Sequence, residues 1–287
     1  MDDTRSLEER IAASLNRLSP KQKKLARFVL DNKYLVSFAS ANQVGENVGA
    51  SAATVVRFAQ SLGYNGFSGL RTAIREELPT YLTAAERIEK RLVNPPSPHD
   101  IPQQVFHTDI SNIERTASNL DEAHFNAALD AIVGADRILI VGGGLSAAPV
   151  WFLTHSLKVI GFNVRMDIDG GLSLATEIAQ LREGTLMIAI DLWRYTRSTV
   201  EAVHASRRQG ATVVAITDSV MSPLARFADF VLEVATDGTG HSLSPTAVFS
   251  LLNVFIAALS FRLPEQVMEA LRRVDIMYRT QNLLFRE

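Results

Sequence analysis

The run Arg137-Ile-Leu-Ile-Val-Gly-Gly-Gly-Leu-Ser-Ala-Ala148 holds a compact apolar strand, a triple glycine and the opening of a helix that continues to Ile160. Strand, glycine loop and helix form one unit of an alternating α/β fold. Further strands are expected at Asn163 to Met166, Leu186 to Ile190, Thr212 to Thr217 and Phe230 to Val234, separated by helical or loop segments such as Thr196 to Gln209. That alternation predicts a parallel sheet flanked by helices. Ligands of such sheets bind outside the carboxyl ends of the strands, so the loops Gly142 to Ser146 and Asp191 to Thr196 are the informative ones and face one crevice. Gly142, Gly143 and Gly144 let backbone amides approach a ligand. Ser146 adds a hydroxyl at a helix start, where the helix dipole favours anions.

Working back from that strand, a helical stretch runs from about Val105 to Val133 and is preceded by a seam, Val93 to Pro102, that holds four of the chain's ten prolines. Proline fixes the backbone and removes a donor, so the seam reads as a linker. Three segments follow: a helical domain over 1–78, a helical and proline-rich linker over 79–104, and an α/β domain with flanking helices over 105–287. Residues 1–78 carry 11 Lys and Arg against 8 Asp and Glu, while 79–287 carry 18 against 23. A basic head on an acidic body suits a chain of which one half meets a polyanion. The 287 residues contain no cysteine, which excludes disulfides, thiolate metal sites and cysteine nucleophiles. The acidic start, MDDTRSLEERIAASL, lacks the form of a signal peptide, so an intracellular, cytoplasmic location is expected. Ser242 to Phe261 is free of charge, but its polar first half and Asn253 leave too short an apolar run for a membrane span, and a buried helix is expected.

In the head, Leu7, Ile11 and Leu15 recur at helical spacing, and Ser19-Pro20 marks the start of a second helix. Ser40 to Leu62 then reads as two helices joined at Val48-Gly49-Ala50. Gly49 supplies the left-handed helix end, Ser51 the next cap, and small Gly45 a close helix crossing, with Val44, Val48, Val55 and Phe58 as shared apolar faces. This is a helix-turn-helix plan. The start of its second helix would enter a major groove, placing Ser51, Ala52, Thr54, Val55 and Arg57 nearest base edges or flanking phosphates. Arg57 can grip a guanine edge with two parallel hydrogen bonds, whereas Lys21, Lys23 and Lys24 would give looser, salt-sensitive phosphate contacts.

The pattern Val56-Arg57-Phe58, Leu62-Gly63-Tyr64, Gly66-Phe67 resembles the N-terminal domain of RpiR-type bacterial transcription regulators, and Tyr64 of that pattern is counted with the DNA-contacting residues. From about Ala135 to Leu263 the chain resembles the sugar isomerase (SIS) domain. The family's first loop, glycine-any-glycine-any-serine, is matched by Gly142, Gly144 and Ser146. Its second loop, serine-any-serine-glycine-acidic-threonine, holds a phosphate with hydroxyls and amides. The corresponding residues here are Asp191-Leu192-Trp193-Arg194-Tyr195-Thr196, and only the threonine survives. A carboxylate about 4 Å from a phosphate oxygen costs about 4 kcal/mol per charge pair at an effective dielectric near 20. Asp191 therefore argues against a bare phosphosugar. Arg194 and Arg197 either restore attraction for an anion or pair with Asp191, and Trp193 and Tyr195 are candidate apolar walls.

Both resemblances point to one family and imply a regulator in which an all-α helix-turn-helix domain is followed by an α/β SIS domain. They imply double-stranded operator DNA, a small-molecule effector, a homodimer or homotetramer on a palindromic site, and no cofactor or metal. Two enzyme readings compete. Gly142-x-Gly144-x-x-Ala147 with Asp167 satisfies a loose dinucleotide fingerprint, and SIS isomerases use pocket acids and bases for which Glu177 and His241 are candidates. His155, His204 and His241 lack an obvious orienting partner, and gene regulation is the better class. The apolar helix Pro245 to Phe261 is expected to pack on the sheet and against a partner subunit.

Overall fold

The computed structural model describes residues 6–15, 17–77, 83–93 and 95–285. The acidic start at 1–5 and Asn94 of the proline seam lie outside the described residues. The chain divides into two compact units, Met1–Asn94 and Pro95–Glu287.

The first unit is helical: α1 (Leu7–Ser14), α2 (Pro20–Asp31), α3 (Lys33–Phe38), α4 (Ala41–Val48), α5 (Ala52–Ser61), α6 (Gly66–Glu77) and α7 (Ala84–Leu92). Four starts are fixed by reciprocal capping boxes, Ser6 with Glu9, Ser19 with Gln22, Ser40 with Gln43, and Thr83 with Glu86, each satisfying two backbone donors at once. The core draws Leu7, Ile11, Leu25, Val29, Val44, Val48, Val55, Phe58, Leu70 and Ile74 together.

The second unit runs α8 (Ile101–Ser118), α9 (Glu122–Gly134), β1 (Arg137–Val141), α10 (Ala147–Val159), β2 (Val164–Asp167), α11 (Gly171–Ile178), β3 (Thr185–Ile190), α12 (Arg197–Arg208), β4 (Thr212–Thr217), β5 (Phe230–Glu233), α13 (Thr246–Arg262) and α14 (Pro264–Thr280). The five strands are parallel in the order β2-β1-β3-β4-β5. Alternate side chains face two cores: Ile138, Ile140, Ile188 and Val214 pack with α9, α10 and α13, while Leu139, Val141, Met187 and Val213 pack with α11 and α12. Burial on both faces explains why the central strands read as unbroken apolar runs.

Two expectations need correction. The helical stretch from Val105 to Val133 is two helices, because Asp121 accepts the His124 amide at 2.9 Å and starts α9 afresh. That stretch also starts earlier than Val105: α8 begins at Ile101, with Pro102 in the first turn, where a missing donor costs nothing, and α7 is the helix within the 79–104 span. In α13, Val248, Leu251, Leu252, Phe255 and Leu259 are buried while Val254 and Phe261 are exposed. No single helix among the described residues is long and apolar enough to cross a membrane.

Candidate functional site

The helix-turn-helix geometry sits in α4 and α5. Gly49 ends α4 in the left-handed region (φ 68°), and Ser51 caps α5, its hydroxyl accepting the Thr54 amide at 3.3 Å. Gly45 is required by the turn rather than by a helix crossing. A β-carbon there would meet the Ala50 carbonyl oxygen at 2.3 Å, and the Ala50 amide donates to the Gly45 carbonyl at 2.8 Å.

On α5, Ser51 and Arg57 are exposed, Ala52 and Thr54 half-buried, and Lys21, Lys23 and Lys24 of α2 are exposed. Val55 does not belong with them: it is wholly buried in the core beside Phe58 and Ala59. Positions 55, 58, 59 and 62 share the inward helical stripe, so the outward face is Ala53, Arg57 and Gln60. Ala53 and Gln60 were missed, although helical spacing from Arg57 marks both. Tyr64 is half-buried against the same core, with the Arg10 guanidinium 4.7 Å above its ring and Arg10 Nη1 donating to the Leu62 carbonyl at 3.2 Å. Those contacts give Tyr64 a packing role.

The second site lies where the strand order reverses, between β1 and β3, the place where open α/β sheets bind ligands. Gly142 is buried, and a β-carbon on it would meet the Ile190 carbonyl oxygen at 2.2 Å. A β-carbon on Gly143 would lie 3.1 Å from Thr196 Cγ2, and one on Gly170 would lie 3.2 Å from Ser198 Cβ. The loops after β1, β2 and β3 thus converge on the start of α12. Gly144 is left-handed (φ 55°) with open space around it. Ser146 is 1% exposed, and its hydroxyl has no hydrogen-bond partner among the described residues.

Asp191 closes the β3 loop from beneath. Its Oδ2 accepts the Thr196 amide at 2.9 Å and the Thr196 hydroxyl at 3.1 Å, while Thr196 Oγ1 lies 2.7 Å from Thr199 Oγ1 and caps α12. Burial pushes the Asp191 carboxyl up to about 6, against the lowering effect of those hydrogen bonds. Arg194 and Arg197 do not pair with it: both are exposed, and the Arg194 guanidinium lies 5.8 Å from the Trp193 ring centre. Trp193 and Arg194 are both left-handed (φ 43° and 47°).

A half-buried carboxylate beside the same loop, Asp218, was missed. It accepts the Trp193 amide at 3.3 Å and the Tyr195 hydroxyl at 2.5 Å, and burial raises its pKa. The signal was available, since Asp218 follows β4 at the same end of the sheet as the two loops already singled out. Trp193, 7% exposed, and half-buried Tyr195 are packed parts of this loop.

Four of the residues behind the enzyme readings, Asp167, Glu177, His155 and His204, are otherwise engaged. Asp167 Oδ1 accepts the Gly170 amide at 2.7 Å and closes its own loop. Glu177 bridges Arg137 and Arg165, His155 stacks on Trp151, and His204 packs on Phe227. His241 is exposed and lines a cavity of about 290 Å3 with Asp109 and Ser244, whose side chains bond to each other.

A capped helix-turn-helix followed by a parallel-sheet domain whose loops converge at the switch point is the plan of a DNA-binding transcriptional regulator. Residues 5–80 match the helix-turn-helix domain of the rpiR family and residues 131–259 the SIS domain. The chain belongs to the RpiR family of transcriptional regulators. It is 41% identical to the sugar isomerase domain of an RpiR transcription factor from Sphaerobacter thermophilus, covering 61% of this chain and 98% of that one, with a TM-score of 0.60. An uncharacterised HTH-type transcriptional regulator of Haemophilus influenzae is 28% identical over 78% of this chain and 77% of its own length. The Vibrio vulnificus NanR protein, solved in complex with ManNAc-6P, shares the fold at 22% identity and a TM-score of 0.68, covering 96% of this chain and 99% of that one.

Proposed function

We propose that this regulator binds a sugar-derived effector in the crevice between the β1 and β3 loops, and that occupancy changes its grip on operator DNA without chemical turnover. The carrying observation is the buried, unpartnered hydroxyl of Ser146 at the switch point, in a chain that also presents Arg57 on the exposed face of a capped α5. Gly142, Gly143, Gly144, Ser146, Asp191 and Thr196 build the crevice in this reading, with Arg194 and Arg197 at its rim. Ser51, Ala52, Thr54 and Arg57 approach base edges and Lys21, Lys23 and Lys24 the phosphates. A homodimer or homotetramer on a palindromic operator, acting in the cytoplasm, fits a head that contributes one α5 per copy. A non-enzymatic role is supported by Glu177, which is held in two ion pairs, and by His155 and His204, which are packed on aromatic rings.

The test is selection of preferred sites from random duplex DNA, followed by anisotropy titrations with and without a sugar panel. The expected result is a two-fold symmetric site whose affinity changes with one class of sugar derivative. Turnover of a sugar phosphate, with DNA affinity indifferent to every compound, would overturn the proposal in favour of an isomerase.

A further inference from the structure

We propose that Asp191 is a built-in anion that stands where a ligand phosphate would otherwise sit at the start of α12, and that the effector is a sugar derivative without a phosphate ester. This rests on the crevice being the effector site. The start of a helix offers backbone amides and a positive dipole end, the ordinary reason that phosphates dock there. In this chain part of that offer is taken up internally, because Thr196 Oγ1 accepts the Thr199 amide at 3.3 Å and Asp191 holds Thr196 in place. Asp191 Oδ2 receives both the amide and the hydroxyl of Thr196. Gly143 packs on the Thr196 side chain and Gly170 on that of Ser198, so the loops after β1 and β2 cover the same helix start.

Charge points the same way. Asp167, Asp191 and Asp218 are buried or nearly so at the carboxyl ends of β2, β3 and β4, and none of them forms an ion pair with a described residue. The two arginines of the loop are exposed, and neither pairs with Asp191. A phosphate brought against Asp191 would meet a negative charge that no described cation pairs with, Arg194 and Arg197 being turned out to the exposed rim. Hydroxyl and amino groups would instead find acceptors. Gly144 and Leu145 are exposed on the open side, and the Ser146 hydroxyl lies buried beneath them without a partner among the described residues, which suits a polyhydroxylated compound that reaches past the glycine loop.

The experiment uses the full chain and matched pairs of probes: fructose and fructose 6-phosphate, glucosamine and glucosamine 6-phosphate, N-acetylmannosamine and its 6-phosphate, and inorganic phosphate alone. Binding is read by thermal shift and calorimetry for the native chain, Asp191→Ser and Asp191→Asn. The native chain should prefer at least one unphosphorylated partner over its ester by about tenfold or more and ignore inorganic phosphate, about tenfold being one step of 1.4 kcal/mol. Asp191→Ser should acquire inorganic phosphate binding. Should it fold poorly, Asp191→Asn keeps the side-chain shape without the charge and should narrow the preference. Native preference for the esters overturns the ligand class alone, and failure of Asp191→Ser to take phosphate overturns the role of Asp191. A native chain that binds operator yet responds to neither class overturns the effector reading itself.

Discussion

Asp191 concentrates the cost of the crevice in one side chain. Its folded pKa of about 6 lies above the ordinary 3.8, so the folded state holds the proton more tightly than the unfolded chain. Stability is therefore lost as pH rises between those values, on the order of 3 kcal/mol for a group 2% exposed. Asp191→Asn should match the native melting temperature near pH 4 and exceed it above pH 7; parallel melts that stay superimposed at both pH values would refute this. Arg194 stands where the family pattern has glycine, yet keeps a left-handed φ of 47°. Arg194→Gly should then raise stability by about 1 kcal/mol, the strain relieved less the entropy that glycine adds to the unfolded chain. At the DNA interface, Arg57→Ala should weaken operator binding by about 1 to 3 kcal/mol and random-DNA binding by less. Equal losses on both would make Arg57 a phosphate contact.

At the scale of elements, the sequence was most readable where chemistry and period coincide. Ser19-Pro20, Ser40, Gly49 and Ser51 announced their helix boundaries, and five β-rich runs announced five strands, because caps and buried strands are written in local residues. The break at Asp121 went unseen since apolar periodicity continues across it, and Val55 was misplaced because closeness to the helix start was weighed before helical phase. The loop after β3 was legible as a departure, but its closure by Asp218 was not. That contact joins residues 23 to 25 positions apart, and only the parallel pairing of β3 with β4 brings them together. Close packing between loops yields a further expectation. Gly142→Ala places a β-carbon against the Ile190 carbonyl and should cost about 1 to 3 kcal/mol, because backbone must move. Gly144→Ala meets open space and should cost only the left-handed strain, about 1 to 2 kcal/mol. Chemical denaturation of both variants separates the two causes.

For the whole molecule, a basic head and an acidic body divide the work between a polyanion and a small molecule. If effector and operator are coupled by about 1 to 3 kcal/mol, linkage requires that saturating operator DNA change effector affinity by the same factor. Calorimetry with and without the DNA site measures that factor, and an effector affinity indifferent to operator DNA would exclude the coupling. The chain also carries its own optical reporter. It has two tryptophans, Trp193 buried in the β3 loop and Trp151 more than half exposed on α10 against His155. Removing the second as Trp151→Phe leaves an emission spectrum that comes from the crevice loop alone, so ligand entry, loop opening and DNA engagement become three readings of a single fluorophore in unlabelled protein.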